Sequence, residues 1–276
     1  MENKLRMKIN KTKIFVRIIS LLLIVVSLVL VGCEEETVYH PAGNGGDLAV
    51  MGTVGTDTDK EDGSKRVAIT FDDGPHNVIT KKIVDELEKY GFSATFFVLG
   101  NRIDGTEYNG TSGLKYAYEN GHEIAIHGYT HRIYYDKCSD SEYKDELSMT
   151  AKAIKDVIGA PIHLMRPVGG RITEERINSC QYSVVKWDVD SEDWKYKYTN
   201  RDDTPDAEER VETIVNNVMS SVKDGSIILL HDIYASTYDA TVIILERLYE
   251  EGYEVVSVSE LLGADRAAGT LYMSGR

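Results

Sequence analysis

The chain has 276 residues, 42% hydrophobic and 28% charged, enough apolar material for one packed domain of about 200 residues plus accessory segments. Its net charge of −14 at pH 7 argues against a nucleic-acid binder, which needs basic patches to meet phosphate. An acidic surface of this kind serves solubility and names no partner.

The first segment is not part of a fold. Lys4, Arg6, Lys8, Lys11, Lys13 and Arg17 face a single acid, Glu2, and the uncharged run "IISLLLIVVSLVLVG" follows, ending at Cys33. A basic stretch followed by an apolar one is a secretory signal, here residues 1–32. Its end, Leu30-Val31-Gly32-Cys33, resembles a bacterial lipobox, in which the Cys is lipidated and becomes the new N-terminus. A plain transmembrane anchor is the other reading. Either one predicts an extracytoplasmic protein tethered to the bacterial cell membrane. Residues 33–64 are polar and rich in Gly, Asp and Thr, a flexible tether with a coil reach of roughly 30 Å.

From Arg66 onward strand and helix patterns alternate. "RVAITF" reads as a first strand and "VITKKIVDELEKYG" as an amphipathic helix stopped by Gly91. "SATFFVLG", "HEIAIHG", "IHLMRPV" and "YSVVKWDVD" read as strands two to five. Helices fall on "GLKYAYENG", "SEYKDELSMTAKAIKDVIG" and "TEERINSC" between them. "TPDAEERVETIVNNVMSSVKDG" reads as a helix capped by Thr204 with Pro205 in its first turn. "SIILLHD" is strand six, "YDATVIILERLYEEG" a helix, and "YEVVSVS" strand seven. Seven strand-then-helix units with near-continuous apolar strands predict a parallel sheet with helices outside, either a barrel or an open doubly wound sheet. No glycine-rich phosphate loop follows any strand, so nucleotide binding has no support. Residues 264–276 show no apolar period and read as a tail.

Polar residues cluster where strands end: Asp72-Asp73, His127, Arg166, Asp188 to Trp194, and His231-Asp232. In a parallel α/β fold these ends share one rim, where sites are built. "HGYTH" places His127 and His131 four residues apart, able to share a metal ion on a helical turn. Alone, such a pair is more often solvated or packed in a core than ligating. An Asp from another strand end would complete a three-ligand set with a position open. That gives the adjacent carboxylates of "TFDDGP" separate tasks, one binding the ion and the other taking a proton from water. His231, at the end of an apolar strand, is the natural general acid.

These residues carry a resemblance. Between Lys65 and Gly263 the chain resembles the NodB-like polysaccharide deacetylases, family 4 of the carbohydrate esterases, through five motifs in order: "TFDDGP", "HGYTH", "RPVGG", "DSEDW" and "LLH". The resemblance implies an α/β fold, a distorted (β/α)7 barrel of parallel strands with outer helices. It implies Asp72 as base, Asp73, His127 and His131 as metal ligands, and His231 as acid. Arg166 would orient Asp72, and Asp193 would orient His231. Gly169 would offer a backbone N–H to the oxyanion, while Trp194 and Leu229 would line the pocket. The cofactor is a divalent metal, Zn²⁺ first, with Co²⁺, Ni²⁺ or Mn²⁺ also suited to two imidazoles and a carboxylate. Two positions depart from the family pattern. Gly128 stands at the Ser/Thr position of the second motif, and Val168-Gly169 replace Pro-Tyr in the third, which predicts a softer loop and an altered substrate fit.

The resulting expectation is a hydrolase releasing acetate from an acetylated cell-envelope glycan, with peptidoglycan N-acetylhexosamine first. An O-acetyl polysaccharide esterase or chitin-oligomer deacetylase is the nearer alternative, and a non-catalytic glycan-binding lipoprotein the more distant one. Acid should weaken metal binding as the ligand imidazoles take up protons. Cys138 and Cys180 could pair, closing a loop worth about 4 kcal/mol, or stay as thiols. His122 is expected at a helix–strand junction outside the site, and His76 either in a turn or lining the rim. Tyr134, Tyr135, Tyr196 and Tyr198 border it, as sugar-stacking rings or as packing.

Overall fold

A computed structural model describes residues 65–105, 109–263 and 266–275. The signal, the lipobox Cys33 and the tether lie outside them. Among the described residues no helix is long and apolar enough to cross a membrane.

The first strand, β1 (Lys65–Asp72), leads into α1 (Ile79–Glu88), whose start is held by a histidine. His76 Nδ1 accepts from the Val78 and Ile79 amides, 3.1 Å each, so this imidazole serves the turn. Then come β2 (Thr95–Leu99), a single helical turn α2 (Gly100–Ile103), α3 (Thr111–Glu119) and β3 (Glu123–Gly128). The long α4 (Asp140–Ile158) opens with a capping box of Ser139 and Glu142 and ends on Gly159 in the left-handed conformation. β4 (Leu164–Met165) and α5 (Glu174–Asn178) follow, with Thr173 capping the helix through the Arg176 amide.

The segment predicted as one fifth strand is two. β5 (Ser183–Val185) pairs with β4, and β6 (Val189–Asp190) pairs with β7 (Ile227–His231). A single stretch of chain thus joins the two edges of the sheet β7-β1-β2-β3-β4 and closes it into a ring. The bend between them is fixed by Asp188, whose carboxylate accepts from Ile227 N at 2.7 Å and Ser226 Oγ at 3.2 Å. α6 (Ala207–Met219) starts two residues later than predicted. Thr204 does not cap it, because its hydroxyl donates back to Asn200 O at 2.9 Å. α7 (Ala235–Glu250) and β8 (Tyr253–Val256) complete the seven units, with β8 paired to the first half of β1. β8 ends early because Ser257 and Glu260 form a second capping box that starts α8 (Val258–Leu262). The segment expected as a tail contributes β9 (Leu271–Tyr272), added to the free side of β5.

All pairings are parallel, and the architecture is the expected distorted (β/α)7 barrel with outer helices. Side-chain alternation sorts each strand into two faces. Val67, Ile69, Phe71, Phe96, Val98, Ile124, Ile126, Ile228 and Leu230 join the large core beneath the helices, while Ala68, Phe97, Ala125, Leu164, Val185 and Ile227 form a small cluster inside the ring. Continuing that inner parity toward the C-terminal ends reaches Asp72, His127, Arg166 and His231. The period of two that buries the core therefore also aims four functional side chains at one point.

Candidate active site

Asp72 and His231 sit in register across the β1–β7 pair, and Asp72 is level with Phe97 on β2. By parity Asp73 should point away. Its φ of +70° turns the chain off the strand, so its carboxylate meets the β3 loop instead. Asp73 Oδ1 lies 3.2 Å from His131 Nε2 and 3.5 Å from His127 Nε2. Adjacent carboxylates are thereby sent to different neighbours.

Asp72 is almost wholly buried, and Arg166 Nη1 donates to its Oδ1 at 2.8 Å. The guanidinium is itself fully buried. It also donates to Thr70 Oγ1 at 2.7 Å, Lys186 O at 2.9 Å and Val185 O at 3.3 Å, and stacks 4.1 Å from the centre of the Phe97 ring. Four of its five N–H groups are used, which holds the arginine in place. Burial pushes the Asp72 carboxyl above the ordinary carboxylate range, and the Arg166 charge opposes this without cancelling it. The result is a carboxylate more basic than usual, pinned at one oxygen, with Oδ2 3.7 Å from His127 Nε2.

His127 Nδ1 lies 3.0 Å from Arg166 O. A carbonyl only accepts, so Nδ1 carries the proton and the Nε2 lone pair faces Asp73. Burial of the ring holds its pKa down at about 3, so it is a neutral imidazole throughout the ordinary pH range. His131 is more exposed and adopts φ +61°. The loop carrying it is anchored by buried Glu146 of α4, which accepts from Tyr129 N at 2.6 Å, Thr130 N at 3.0 Å and Thr130 Oγ1 at 2.7 Å.

These three side chains fit a divalent cation. One ligand atom from each of Asp73, His127 and His131 lies within 4.8 Å of the others. Asp73 Oδ1 is buried with no hydrogen-bond donor among the described residues. An orphaned buried oxygen beside a neutral imidazole whose proton is fixed on the far nitrogen is the donor set of a metal centre with its outer contact in place.

On the other side of the ring Asp193, completely buried in a turn after β6, organises His231. Asp193 Oδ2 accepts from the His231 amide at 2.8 Å and Thr237 Oγ1 at 2.6 Å, while Oδ1 receives His231 Nδ1 at 2.7 Å. Burial works against a charged ring here. Even so, the charge and hydrogen bond of Asp193, reinforced by Asp73 and Asp72, push the His231 pKa up to about 10. His231 is thus an imidazolium held by Nδ1.

Among the other residues named from sequence, Leu229 is buried on the inner parity of β7, Trp194 stands about half exposed on the rim, and Gly169 lies in the exposed turn after β4 at φ +58°. His122 occupies the expected junction, its Nδ1 accepting the Ala94 amide at 3.2 Å. Tyr135 and Tyr198 are buried and belong to the packing, whereas Tyr134 is exposed. Cys138 and Cys180 are free thiols. The sequence reading missed Thr70, Thr237 and Glu146. Thr70 was recoverable, because it shares the inner parity of Asp72. Nothing local marks Thr237 or Glu146, which reach the site from helices.

The polysaccharide deacetylase family model matches residues 59–185. A peptidoglycan-N-acetylglucosamine deacetylase of Bacillus cereus is 34% identical over 173 residues, covering 61% of this chain and 73% of that protein. The chain belongs to the polysaccharide deacetylase family. Another relative, a peptidoglycan-N-acetylglucosamine deacetylase of Listeria monocytogenes, is 31% identical over 209 residues; the match covers 76% of this chain but only 41% of the relative's length. Among solved structures, a family 4 acetyl xylan esterase from Clostridium thermocellum in complex with a cobalt ion superimposes with a TM-score of 0.65. It is 30% identical, and the match covers 76% of this chain and 98% of that one. The family match covers the stretch that carries "TFDDGP", "HGYTH" and "RPVGG", and the geometry brings Asp72, Asp73, His127, His131, Arg166 and His231 to one rim.

Proposed function

We propose that this polysaccharide deacetylase is a divalent-metal-dependent hydrolase that removes acetyl groups from N-acetylated sugars of a cell-envelope glycan, peptidoglycan N-acetylhexosamine first. The observation that carries this reading is the division of labour between neighbouring carboxylates: Asp73 faces two imidazoles, and Asp72 faces a buried arginine. The relatives named as peptidoglycan deacetylases support the substrate class. The basic and apolar stretch ending at Cys33 supports an extracytoplasmic lipoprotein anchored in the cell membrane, where such a glycan is within reach.

A divalent ion held by Asp73, His127 and His131, with Zn²⁺ the first choice for this donor set, would polarise the acetyl carbonyl and acidify water. Asp72 is the base: its raised proton affinity suits removal of a proton from water, and Arg166 keeps the free oxygen turned to the cleft. The water oxygen bonds to the acetyl carbon, and the C–N bond breaks. His231, charged at neutral pH, gives its Nε2 proton to the departing sugar amine, leaving acetate and a free amino sugar. Asp193 keeps Nε2 aimed inward by holding Nδ1. The Gly169 amide is assigned to the developing oxyanion; the turn's own hydrogen bonds use the Gly170 and Arg171 amides, donating to Pro167 O and Val168 O. Trp194 and Leu229 are assigned to the sugar and the acetyl group.

The test is acetate release from N-acetylglucosamine oligomers, peptidoglycan and acetylated xylan, with the protein stripped of metal and then given Zn²⁺. Release from the first two that requires metal, and falls about 10²- to 10⁴-fold in Asp72→Asn, supports the reading. Release from acetylated xylan alone would favour an O-acetyl esterase, the activity named for the Clostridium thermocellum neighbour. No release from any of them contradicts hydrolysis.

A further inference from the structure

The two glycines at which the chain departs from the family pattern are both covered by adjacent tyrosines of one loop. At Gly128, φ is +133°, and a Cβ would come within 2.7 Å of the Tyr135 hydroxyl. At Gly169, φ is +58°, and a Cβ would meet Cε1 of the Tyr134 ring at 3.2 Å. Both backbone angles lie where L side chains are strained. The first tyrosine is wholly buried, and the second is 42% exposed. One therefore fills a gap in the core, while the other lies over a bare turn at the surface.

Tyr134 is held in that position from the side. Arg171 places its guanidinium 4.5 Å from the ring centre, and Asp136 fixes the guanidinium through Nε at 3.1 Å and Nη2 at 2.9 Å. The residue follows the metal-ligand His131 by three positions. The turn it covers begins two residues after Arg166, whose carbonyl orients His127. On the far side of the same turn Trp187 comes within 3.1 Å of where a Gly170 Cβ would stand. The Gly169-Gly170 turn is thus a low saddle between two aromatic rings. A bulky side chain at position 169 would displace Tyr134 or rise through the saddle.

The Tyr134 ring is exposed and braced by an ion-paired arginine, so it presents a flat apolar face in a fixed orientation at the surface. The apolar C–H face of a pyranose is a chemical match for such a ring. We propose that Tyr134 is a glycan-stacking platform, braced by Arg171 and Asp136. It receives a sugar residue next to the one being hydrolysed, and Gly169 is the clearance that lets this ring reach the cleft. The inference rests on the deacetylase reading for the position of the scissile sugar. Tyr134 acts on binding and position, not on the chemical step.

The experiment measures calorimetric binding of N-acetylglucosamine tetramer and monomer to the full-length zinc-loaded chain, together with acetate release from the tetramer. It compares the unaltered protein with Tyr134→Ala, Tyr134→Phe and Arg171→Met. Tyr134→Ala should weaken tetramer binding about tenfold and raise KM similarly with kcat changed less than twofold, since losing a stacked ring costs about that factor. Tyr134→Phe should bind as the unaltered chain does, and Arg171→Met should fall between. Monomer binding should be unchanged in all three. Equal tetramer affinity for Tyr134→Ala and the unaltered chain overturns the platform, as does a loss shared equally by the monomer or the absence of tetramer binding by the unaltered chain. Binding without acetate release from the unaltered chain would instead defeat the hydrolase reading and leave the stacking comparison readable.

Discussion

The two sides of the ring are built on different principles. Around Asp193 the polar contacts are closed by the protein: its carboxylate accepts from the His231 amide, the His231 ring nitrogen Nδ1 and Thr237, and is completely buried while doing so, leaving only Nε2 of the imidazole open to the cleft. Around Asp73 the lone pairs of a carboxylate and an imidazole converge with no described donor between them, and His131 is partly open to solvent. A closed polar cluster contributes to folding and cannot be taken apart cheaply. An acceptor-rich cluster contributes little until a cation joins it. The first half is therefore set for proton transfer before any ligand arrives, and the second is set for an ion.

That contrast is broken most severely at Asp193. In the metal-free chain, Asp193→Ala should destabilise by about 3–5 kcal/mol in urea unfolding, because it leaves a buried imidazolium and the His231 amide without their acceptor. His131→Ala, measured in the same way, should change stability by only about 0.5 kcal/mol. Equal losses would erase the distinction.

Zinc should close that gap. At about a thousand times its dissociation constant, Zn²⁺ should stabilise the unaltered chain by about 4 kcal/mol. The gain should disappear in His131→Ala and persist in Asp193→Asn, as followed by thermal unfolding.

A smaller effect separates the imidazoles by pH. His231, raised to about 10 by Asp193 against the pull of burial, contributes its full stabilisation below its unfolded value near 6.5. This contribution declines above that value and is gone once pH passes 10. Asp193→Asn should abolish that alkaline decline. His127 behaves in the opposite sense. With burial holding it near 3, the unfolded chain gains a proton below about 6.5 that the folded chain refuses, so stability falls toward acid. Ring resonances of the metal-free protein should show His231 charged and His127 neutral at pH 7. A charged His127 at that pH would contradict the assignment. The acid sensitivity of metal binding expected from both ligand histidines therefore cannot come from protonation of His127 in the ordinary range.

Much of this was legible in the residues, for a physical reason. Strand alternation writes the inner face directly into the chain, so Asp72, His127, Arg166 and His231 emerge from the same period that defines the core. Local capping chemistry was legible too. It was misread at Thr204, whose hydroxyl serves the preceding loop, and at Ser257, where a capping box ends a strand predicted to run on. The split of the fifth strand was hidden because its two halves differ only in their partners, which are remote in sequence. Glu146 and Thr237 were invisible for the same reason, since each acts across a helix–loop contact that spacing does not encode. The left-handed turn at Asp73 was legible only as a question about two neighbouring charges, and the fold answered it.

The most direct test of the central claim is acetate release by Asp72→Asn at saturating zinc, with bound metal counted in the same sample. The division of labour predicts one zinc per chain, as in the unaltered protein, and acetate release lower by about 10²- to 10⁴-fold. A variant that still turns over at the full rate, or that loses zinc along with activity, would contradict separate tasks for the two neighbouring carboxylates.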